Sequence, residues 1–165
     1  MRFRSPSSRE TREAARKLGV AIEGVPETRA IALVIGLVGP LGAGKTEWVK
    51  GLAEGLGVPA ELVASPTFVI ASEYDGARPL AHVDFYRLES EGELEAAGFV
   101  DLLDPGRVVA IEWADRFPEA LPADRIEVRI ARGAEEPETQ REVEAVAWGP
   151  VATRVLERFE HEMKV

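Results

Sequence analysis

Short apolar runs mark the buried strands of this chain. Residues Ala30 to Val38 are almost continuously apolar and rich in Ile and Val, and Arg107 to Trp113 encloses four successive apolar residues. An apolar run of this length bounded by turn residues is typical of a strand buried on both faces. Two further strands, Thr67 to Tyr74 and Leu80 to Phe85, are predicted on either side of the turn-forming pair Asp75-Gly76.

Apolar positions at helical spacing lie between these strands. Two helices open with the spacing of a capping box, Ser7 with Glu10 and Ser90 with Glu93. Gly57 suits the position after a helix end, where a left-handed backbone is common. The predicted helices are Thr11 to Gly19, Lys45 to Leu56, a short helix after Ser90, and Gly149 to Lys164.

The last two strands have a different pattern. Arg125 to Ala131 and Gln140 to Trp148 alternate polar and apolar residues around an acidic loop, which predicts an exposed antiparallel hairpin. Elsewhere buried strands alternate with helices, which indicates an α/β sandwich with a mainly parallel sheet. With 165 residues and no repeat or linker, the chain is predicted to form a single domain over residues 1–165.

Composition narrows the possible functions. The chain has no cysteine, which excludes disulfides, thiolate zinc sites and a cysteine nucleophile. Its net charge of −9 argues against a main nucleic-acid-binding surface, so any contact with RNA is expected to be indirect, through a partner. The start of the chain does not resemble a signal peptide, and the longest apolar run is about half of what a membrane helix needs. We therefore expect a cytoplasmic protein with no membrane contact.

One motif carries specific chemistry. Gly39 to Thr46 reads GPLGAGKT, which fits the phosphate-binding pattern G-x-x-x-x-G-K-[ST]. It lies between a predicted buried strand and a predicted helix, where backbone N–H groups and the helix N-terminus point at an anion. Lys45 is expected to bridge the β- and γ-phosphates, and the Thr46 hydroxyl to bind Mg²⁺. The alternative, a glycine-rich turn with a solvated lysine, does not explain this context.

Acidic residues follow two of the predicted strands. Asp84 ends one strand and Glu112 ends another, at the sheet edge where α/β proteins bind ligands. A solvated carboxylate at a strand end is the alternative for each. Taken alone, Ser65 to Phe68 favours an ordinary turn before a strand. Taken alone, His82 and Trp113 are more typical of residues that pack in the interior. Tyr86 and Arg87 follow Asp84, and the sequence does not decide whether they reach the ligand crevice or lie on the surface.

The order of these motifs resembles the bacterial TsaE family, the small ATPases required for threonylcarbamoyladenosine modification of tRNA. The segments that carry the resemblance are GPLGAGKT at 39–46, SPTF at 65–68, HVDFYRL at 82–88 and IEW at 111–113. The resemblance implies a P-loop NTPase three-layer sandwich with a C-terminal antiparallel hairpin, with ATP and Mg²⁺ as cofactors. It also implies that TsaD- and TsaB-like proteins are the partners, that the ATPase cycles their transferase complex, and that tRNA is contacted only indirectly.

The resemblance also implies roles for individual residues. Asp84, Lys45 and Thr67 are the expected catalytic residues, and Thr46 and Glu112 the expected Mg²⁺ ligands. Two positions depart from the family pattern: Pro40 lacks a backbone donor, and Glu47 adds a negative charge near the nucleotide. The expected nucleotide-binding residues are Ser8, Leu41, Gly42, Ala43, Gly44, Lys45, Thr46, Glu47 and Arg141.

Three other functions compete with this hypothesis. A small-molecule kinase is the main alternative, but the segment from Gly133 to Gln140 is acidic where such enzymes usually carry an arginine-bearing lid. A GTPase-like switch generally uses an Asn-Lys-x-Asp box, which a chain without asparagine cannot contain. A scaffold that has lost catalysis does not account for the retained Lys45, Thr46, Asp84 and Glu112.

Overall fold

The computed structural model describes residues 1–66, 70–134 and 139–165, and within them it places seven strands in one sheet and four α-helices. The strands lie in the spatial order β1-β7-β6-β2-β5-β4-β3. They are β1 (Arg2–Ser5), β2 (Leu33–Val38), β3 (Ala71–Tyr74), β4 (Leu80–Asp84), β5 (Val108–Glu112), β6 (Arg125–Arg132) and β7 (Arg141–Trp148). The helices are α1 (Ser8–Glu23), α2 (Lys45–Gly55), α3 (Glu91–Ala96) and α4 (Pro150–Lys164).

The sheet is mixed, which corrects the expectation of a mainly parallel one. Over the described ranges, β2 pairs in parallel with β5 and β6, and β4 pairs in parallel with β5. The other three pairings, β1 with β7, β3 with β4 and β6 with β7, are antiparallel. The three parallel pairings lie together at the centre of the sheet, and the antiparallel pairings lie at its two margins.

Alternate residues of the central strands supply two separate cores. Leu33, Ile35 and Leu37 of β2 pack with apolar residues of α1, α2 and α4, while Val34 packs on the opposite face with α3 and the segments around it. Side chains alternate between the faces of a strand, so this division follows directly from the pleat. The prediction that this run is buried on both faces is confirmed.

Several boundaries differ from the sequence expectation. Strand β2 starts at Leu33 instead of Ala30, because Pro26–Ala30 forms a 3₁₀ turn. Helix α1 continues to Glu23, past Gly19, because that glycine packs against the backbone of α2. Of the strand expected over 67–74, the described part is β3; Thr67 to Val69 lie outside the described residues.

The predicted helix caps are confirmed. The Ser7 hydroxyl accepts a hydrogen bond from the Glu10 backbone N–H at 3.3 Å, and Ser90 accepts one from Glu93 at 3.2 Å. Gly57 follows α2 with φ of +78°, in the left-handed region. Local capping chemistry therefore fixes the starts of α1 and α3 and the end of α2.

The sequence pattern does not reveal how β6 and β1 join the sheet. Strand β6 pairs with β2 as well as β7, which places it inside the sheet. Ile126, Val128 and Ile130 pack with the core that includes α1, α2 and α4, so only one face of the expected exposed hairpin meets solvent. Strand β1 was not predicted, because Phe3 is its only large apolar residue; it pairs with β7. Among the described residues, none of the helices combines the length and the apolar character needed to cross a bilayer.

Candidate functional site

The loop between β2 and α2 turns at two glycines with positive φ. Gly42 and Gly44 adopt φ of +76° and +103°, and Gly44 is the residue before the first helical position of α2. A side chain is disfavoured in this left-handed region, so glycine is required at both bends. The loop ends at a helix N-terminus, where free N–H groups and the helix dipole favour an anion.

Lys45 lies across the mouth of this loop. Its side-chain ammonium donates hydrogen bonds to the carbonyl oxygens of Gly39 at 2.6 Å and Pro40 at 3.0 Å. It also sits 4.0 Å from the centre of the Trp113 ring, within cation–π distance. Burial lowers the Lys45 pKa, against the opposing charges of Glu112, Asp84 and Asp115. The loop's own carbonyls thus hold a cation beside the N-terminus of α2.

Thr46 and Glu112 join the two halves of the site. The Thr46 hydroxyl donates a hydrogen bond to Glu112 Oε1 at 2.8 Å, which links the first turn of α2 to the end of β5. Burial raises the Glu112 pKa, but the interactions with His82, Thr46 and the charge of Lys45 together outweigh it and leave the pKa lowered overall. An ionised carboxylate beside a hydroxyl is a pair of oxygen ligands of the kind that Mg²⁺ prefers.

These two oxygen donors fit a magnesium ion that is carried in with phosphates. No group of three or more His, Asp or Glu side chains that could hold a metal is found in the described ranges. Mg²⁺ in nucleotide sites commonly uses one or two protein ligands and takes the rest from phosphates and water. Thr46 and Glu112 are therefore sufficient in number and chemistry for a metal bound together with a nucleotide.

Asp84 lies beside Glu112 at the sheet edge. The parallel pairing of β4 with β5 places Asp84 opposite Glu112 in register. Burial raises the Asp84 pKa, and a hydrogen bond from the Tyr86 backbone N–H to Oδ1 at 2.8 Å partly offsets this. Asp84 is thus a carboxylate with enhanced basicity, held two residues from an exposed aromatic side chain.

Trp113 has a strained backbone next to the expected metal ligand. Its φ is +58°, a positive value found elsewhere in the described residues only at glycines. Its ring lies 5.0 Å from the Tyr86 ring, centroid to centroid, and also contacts the Lys45 ammonium. Non-glycine residues in this region cost energy and tend to occur where function requires them. The sequence favoured a packing role for Trp113. Its positive φ and its contact with the Lys45 ammonium are more than packing requires.

One cleft brings the expected nucleotide-binding residues together. It has a volume of about 490 Å³ and is lined by the loop from Leu41 to Glu47 together with Ser8, Ser65, Asp84, Tyr86, Arg87, Glu112, Trp113 and Arg141. Arg141 reaches the loop from β7, donating from Nε to the Ala43 carbonyl at 2.8 Å and from Nη2 to that of Gly42 at 3.3 Å. The expected site residue outside this set is Thr67, which lies outside the described residues.

The two departures from the family pattern have local partners. The Pro40 carbonyl accepts hydrogen bonds from the Ala43 backbone N–H at 3.1 Å and from Lys45, so the proline contributes an acceptor to the loop. Glu47 forms an ion pair with Lys50 at 2.6 Å, one turn along α2. The negative charge at the helix start is therefore partly compensated within the helix.

Two residues that sequence reasoning did not assign to the site lie in contact with it. His82 is fully buried and hydrogen-bonds to Glu112, although it was expected only to pack beside its strand. The clue was its spacing from Asp84, since residues two apart on a strand share a face. Arg132 pairs with Arg141 across β6 and β7, and one of its guanidinium nitrogens lies close to Gly42. That contact depends on strand register, which the sequence pattern alone does not give.

A comparison with protein families identifies relatives of the chain. Residues 5–143 match the family model described as "Threonylcarbamoyl adenosine biosynthesis protein TsaE". The chain is 41% identical to a tRNA threonylcarbamoyladenosine biosynthesis protein TsaE of Bacillus subtilis, across 74% of this chain and 81% of the relative. A protein of the same name from Nostoc is 40% identical, across 75% and 76% respectively.

A solved structure has the same arrangement. The crystal structure of YdiB from Bacillus subtilis superposes with a TM-score of 0.70 and 32% sequence identity, covering 99% of this chain and 95% of that one. The similarity therefore extends beyond the motifs to almost the whole length of both chains.

Proposed function

Since the chain belongs to the TsaE family, we propose that it is a magnesium-dependent ATPase serving threonylcarbamoyladenosine biosynthesis in tRNA. The role in this biosynthesis follows from the names of its relatives. The ATPase activity is inferred from the site. The observation that supports it most directly is the hydrogen bond between Thr46 and Glu112, which places a hydroxyl and a carboxylate together beneath the phosphate-binding loop.

Binding begins with the loop and Lys45. The N–H groups between Gly42 and Thr46 receive the phosphates of ATP, and the Lys45 ammonium exchanges its bonds to the Gly39 and Pro40 carbonyls for phosphate oxygens. Because Lys45 is already desolvated, the exchange does not require it to leave bulk water. Arg141 steadies the loop through the Gly42 and Ala43 carbonyls during this exchange.

Hydrolysis then depends on the acidic residues. Thr46 and Glu112 would hold Mg²⁺, and the ion would supply positive charge close to the phosphates. Asp84 orients the attacking water and accepts its proton, a role that suits a carboxylate whose pKa is raised by burial. No arginine is assigned as a finger within this chain, so we expect slow hydrolysis by the isolated protein.

The partners follow from the same proposal. We expect TsaD- and TsaB-like proteins to bind this ATPase, which resets their transferase complex between rounds and contacts tRNA only through them. The net charge of −9 is compatible with this division, because the basic surface that RNA requires can belong to the partners.

Phosphate release from ATP tests the proposal, measured for the purified protein alone and with the presumed partners. We expect slow, Mg²⁺-dependent release that accelerates with the partners. Lys45→Ala should weaken ATP binding about 100-fold through loss of a charge-assisted contact, whereas Lys164→Ala, at the end of α4, should leave it unchanged. Absence of ATP binding by the unmodified protein would reject the ATPase assignment.

A cellular experiment tests the biosynthetic role separately. Modified-nucleoside mass spectrometry of tRNA from a strain without this protein should show loss of threonylcarbamoyladenosine, restored by the wild-type gene but not by one encoding Lys45→Ala. Normal levels of the modified nucleoside in that strain, with no substitute factor, would reject the role.

A further inference from the structure

His82 occupies a buried position directly behind the proposed metal ligand. It is two residues before Asp84 on β4, so both side chains leave the same face of the sheet. The register pairs Asp84 with Glu112 and His82 with Ala110, which places the imidazole one step further from the sheet edge than the two carboxylates. His82 has no solvent exposure and is absent from the described lining of the cleft. It therefore cannot touch the substrate directly.

The imidazole contacts Glu112 through one nitrogen. His82 Nε2 lies 2.9 Å from Glu112 Oε1. An ionised carboxylate only accepts hydrogen bonds, so Nε2 must carry the proton and donate. The other ring nitrogen, Nδ1, is buried with no hydrogen-bond partner in the described part of the chain. Among the described residues, the Glu112 carboxylate is thus the hydrogen-bond partner that accounts for a histidine at this buried position.

The two hydrogen bonds to Glu112 meet at the same oxygen. Oε1 accepts from His82 on the core side and from Thr46 on the cleft side. Two donors at one oxygen restrict rotation of the carboxyl group, and the His82 bond persists in the interior where water cannot replace it. Partners of this kind orient metal ligands in many proteins, and their loss typically weakens metal affinity by about 10- to 100-fold.

We propose that His82 is a positioning residue whose Nε2–H holds Glu112 in the orientation that receives Mg²⁺. This inference rests on the proposed function, because it presumes that Glu112 binds the metal of a nucleotide complex. It assigns His82 an effect on metal affinity, exerted through Glu112, and no direct part in phosphate binding.

The test compares variants that keep or remove the donor. His82→Gln can place an amide N–H near the position of Nε2, whereas His82→Leu removes the donor at similar volume. Mn²⁺ affinity is measured by electron paramagnetic resonance with ADP bound, and ADP affinity by calorimetry in EDTA. We expect His82→Leu to weaken Mn²⁺ binding about tenfold and to leave ADP binding in EDTA unchanged. His82→Gln should retain most of the Mn²⁺ affinity.

A double variant shows whether the effect passes through Glu112. When Glu112→Gln has already removed the carboxylate, adding His82→Leu should cause no further loss of Mn²⁺ affinity. If His82→Leu does not fold, His82→Asn replaces it, because the shorter amide falls short of the Nε2 position while keeping a polar group. Folding of each variant is checked by thermal denaturation.

The outcomes separate this inference from the proposed function. Unchanged Mn²⁺ affinity in the donor-free variant overturns the inference, as does an equal loss of ADP affinity with and without metal. A full further loss in the Glu112→Gln background overturns it too, since His82 would then act independently of Glu112. Failure of the wild-type protein to bind ADP or Mn²⁺ would instead reject the proposed function itself.

Discussion

Single residues in the cleft give the sharpest predictions. The first concerns Asp84, which should control how activity depends on pH. A base must be ionised to accept a proton, so activity should fall as the pH drops through its pKa. Burial raises that pKa, hence the decline should begin at a higher pH than for a solvated aspartate. Asp84→Asn should lower kcat about 100-fold or more and remove this acid limb. The measurement is kcat/KM against pH for both proteins. An identical acid limb in the variant would assign the ionisation to another group.

Arg132 supplies a second prediction at this scale. It stands opposite Arg141 in the β6–β7 ladder, and like charges in directly opposed positions repel each other. One of its guanidinium nitrogens lies near Gly42 of the loop, and its side chain makes no hydrogen bond or ion pair with the other residues that the structure describes. A bound anion would relieve this repulsion. Arg132→Ala should therefore weaken ADP binding about tenfold in calorimetry at low salt.

A matched control exists on the same strand. Arg129 points to the other face of β6 and pairs with Glu127 at 2.8 Å. Arg129→Ala removes the same charge from the same element without approaching the loop, so ADP affinity should hardly change. Equal losses in both variants would mean that total charge, and not a local contact, controls binding.

Among the elements, α1 and α2 are the most closely apposed helices. A Cβ atom at Gly51 of α2 would lie 2.0 Å from the Arg12 carbonyl of α1, and one at Gly55 would lie 2.2 Å from the Arg16 carbonyl. The glycines let the two backbones approach each other closely. Ser8, at the start of α1, therefore lies in the same cleft as the N-terminus of α2. Helix packing thus positions part of the proposed nucleotide site.

Gly51→Ala should separate these helices. Overpacking of this kind costs about 1–3 kcal/mol, so the urea midpoint of unfolding should fall. The control is Gly92→Ala in α3, where the added Cβ would meet only the Ser90 hydroxyl at 3.7 Å. That change should be neutral or slightly stabilising. Similar midpoints for the two variants would contradict a tight helix interface.

The elements also show what the sequence could predict. Helix starts at Ser7 and Ser90 were predictable because capping depends on residues within one turn. Strand β1 was not, because its stability comes from pairing with β7, more than a hundred residues away. The loop from Gly39 to Thr46 could be predicted as a phosphate-binding loop because the residues of that motif are consecutive in the sequence. The spacing of His82 from Asp84 shows that the two share a strand face, but the contacts of His82 with Glu112 and of Arg132 with the loop depend on the register between strands, which a local pattern does not give.

For the whole molecule, the site is assembled from α1, α2, β4, β5 and β7 with the loops between them. Unfolding must therefore dismantle it, and a ligand that binds only the folded chain stabilises the chain. Mg²⁺ and a nonhydrolysable ATP analogue at 100 times their Kd should add about 2.7 kcal/mol to the free energy of unfolding. EDTA should reverse the part of this gain that depends on metal.

Thermal denaturation measures this effect directly. The melting temperature should rise with ligand concentration for the wild-type protein, and Lys45→Ala should need about 100 times more ligand for the same rise. A rise of equal size in that variant would place nucleotide binding away from the loop. At this scale the α/β class was predictable from alternating elements, but the mixed sheet was not, because strand direction depends on how distant segments pair.

The contact between Lys45 and the Trp113 ring gives the protein a native optical reporter. If the ammonium moves to phosphate, the indole loses the positive charge above its ring, and its emission should change without any attached dye. Trp48 is fully buried and Trp148 lies at the far end of β7, so both should contribute a constant background. Stopped-flow mixing with ATP could then time the departure of Lys45 from its resting carbonyls.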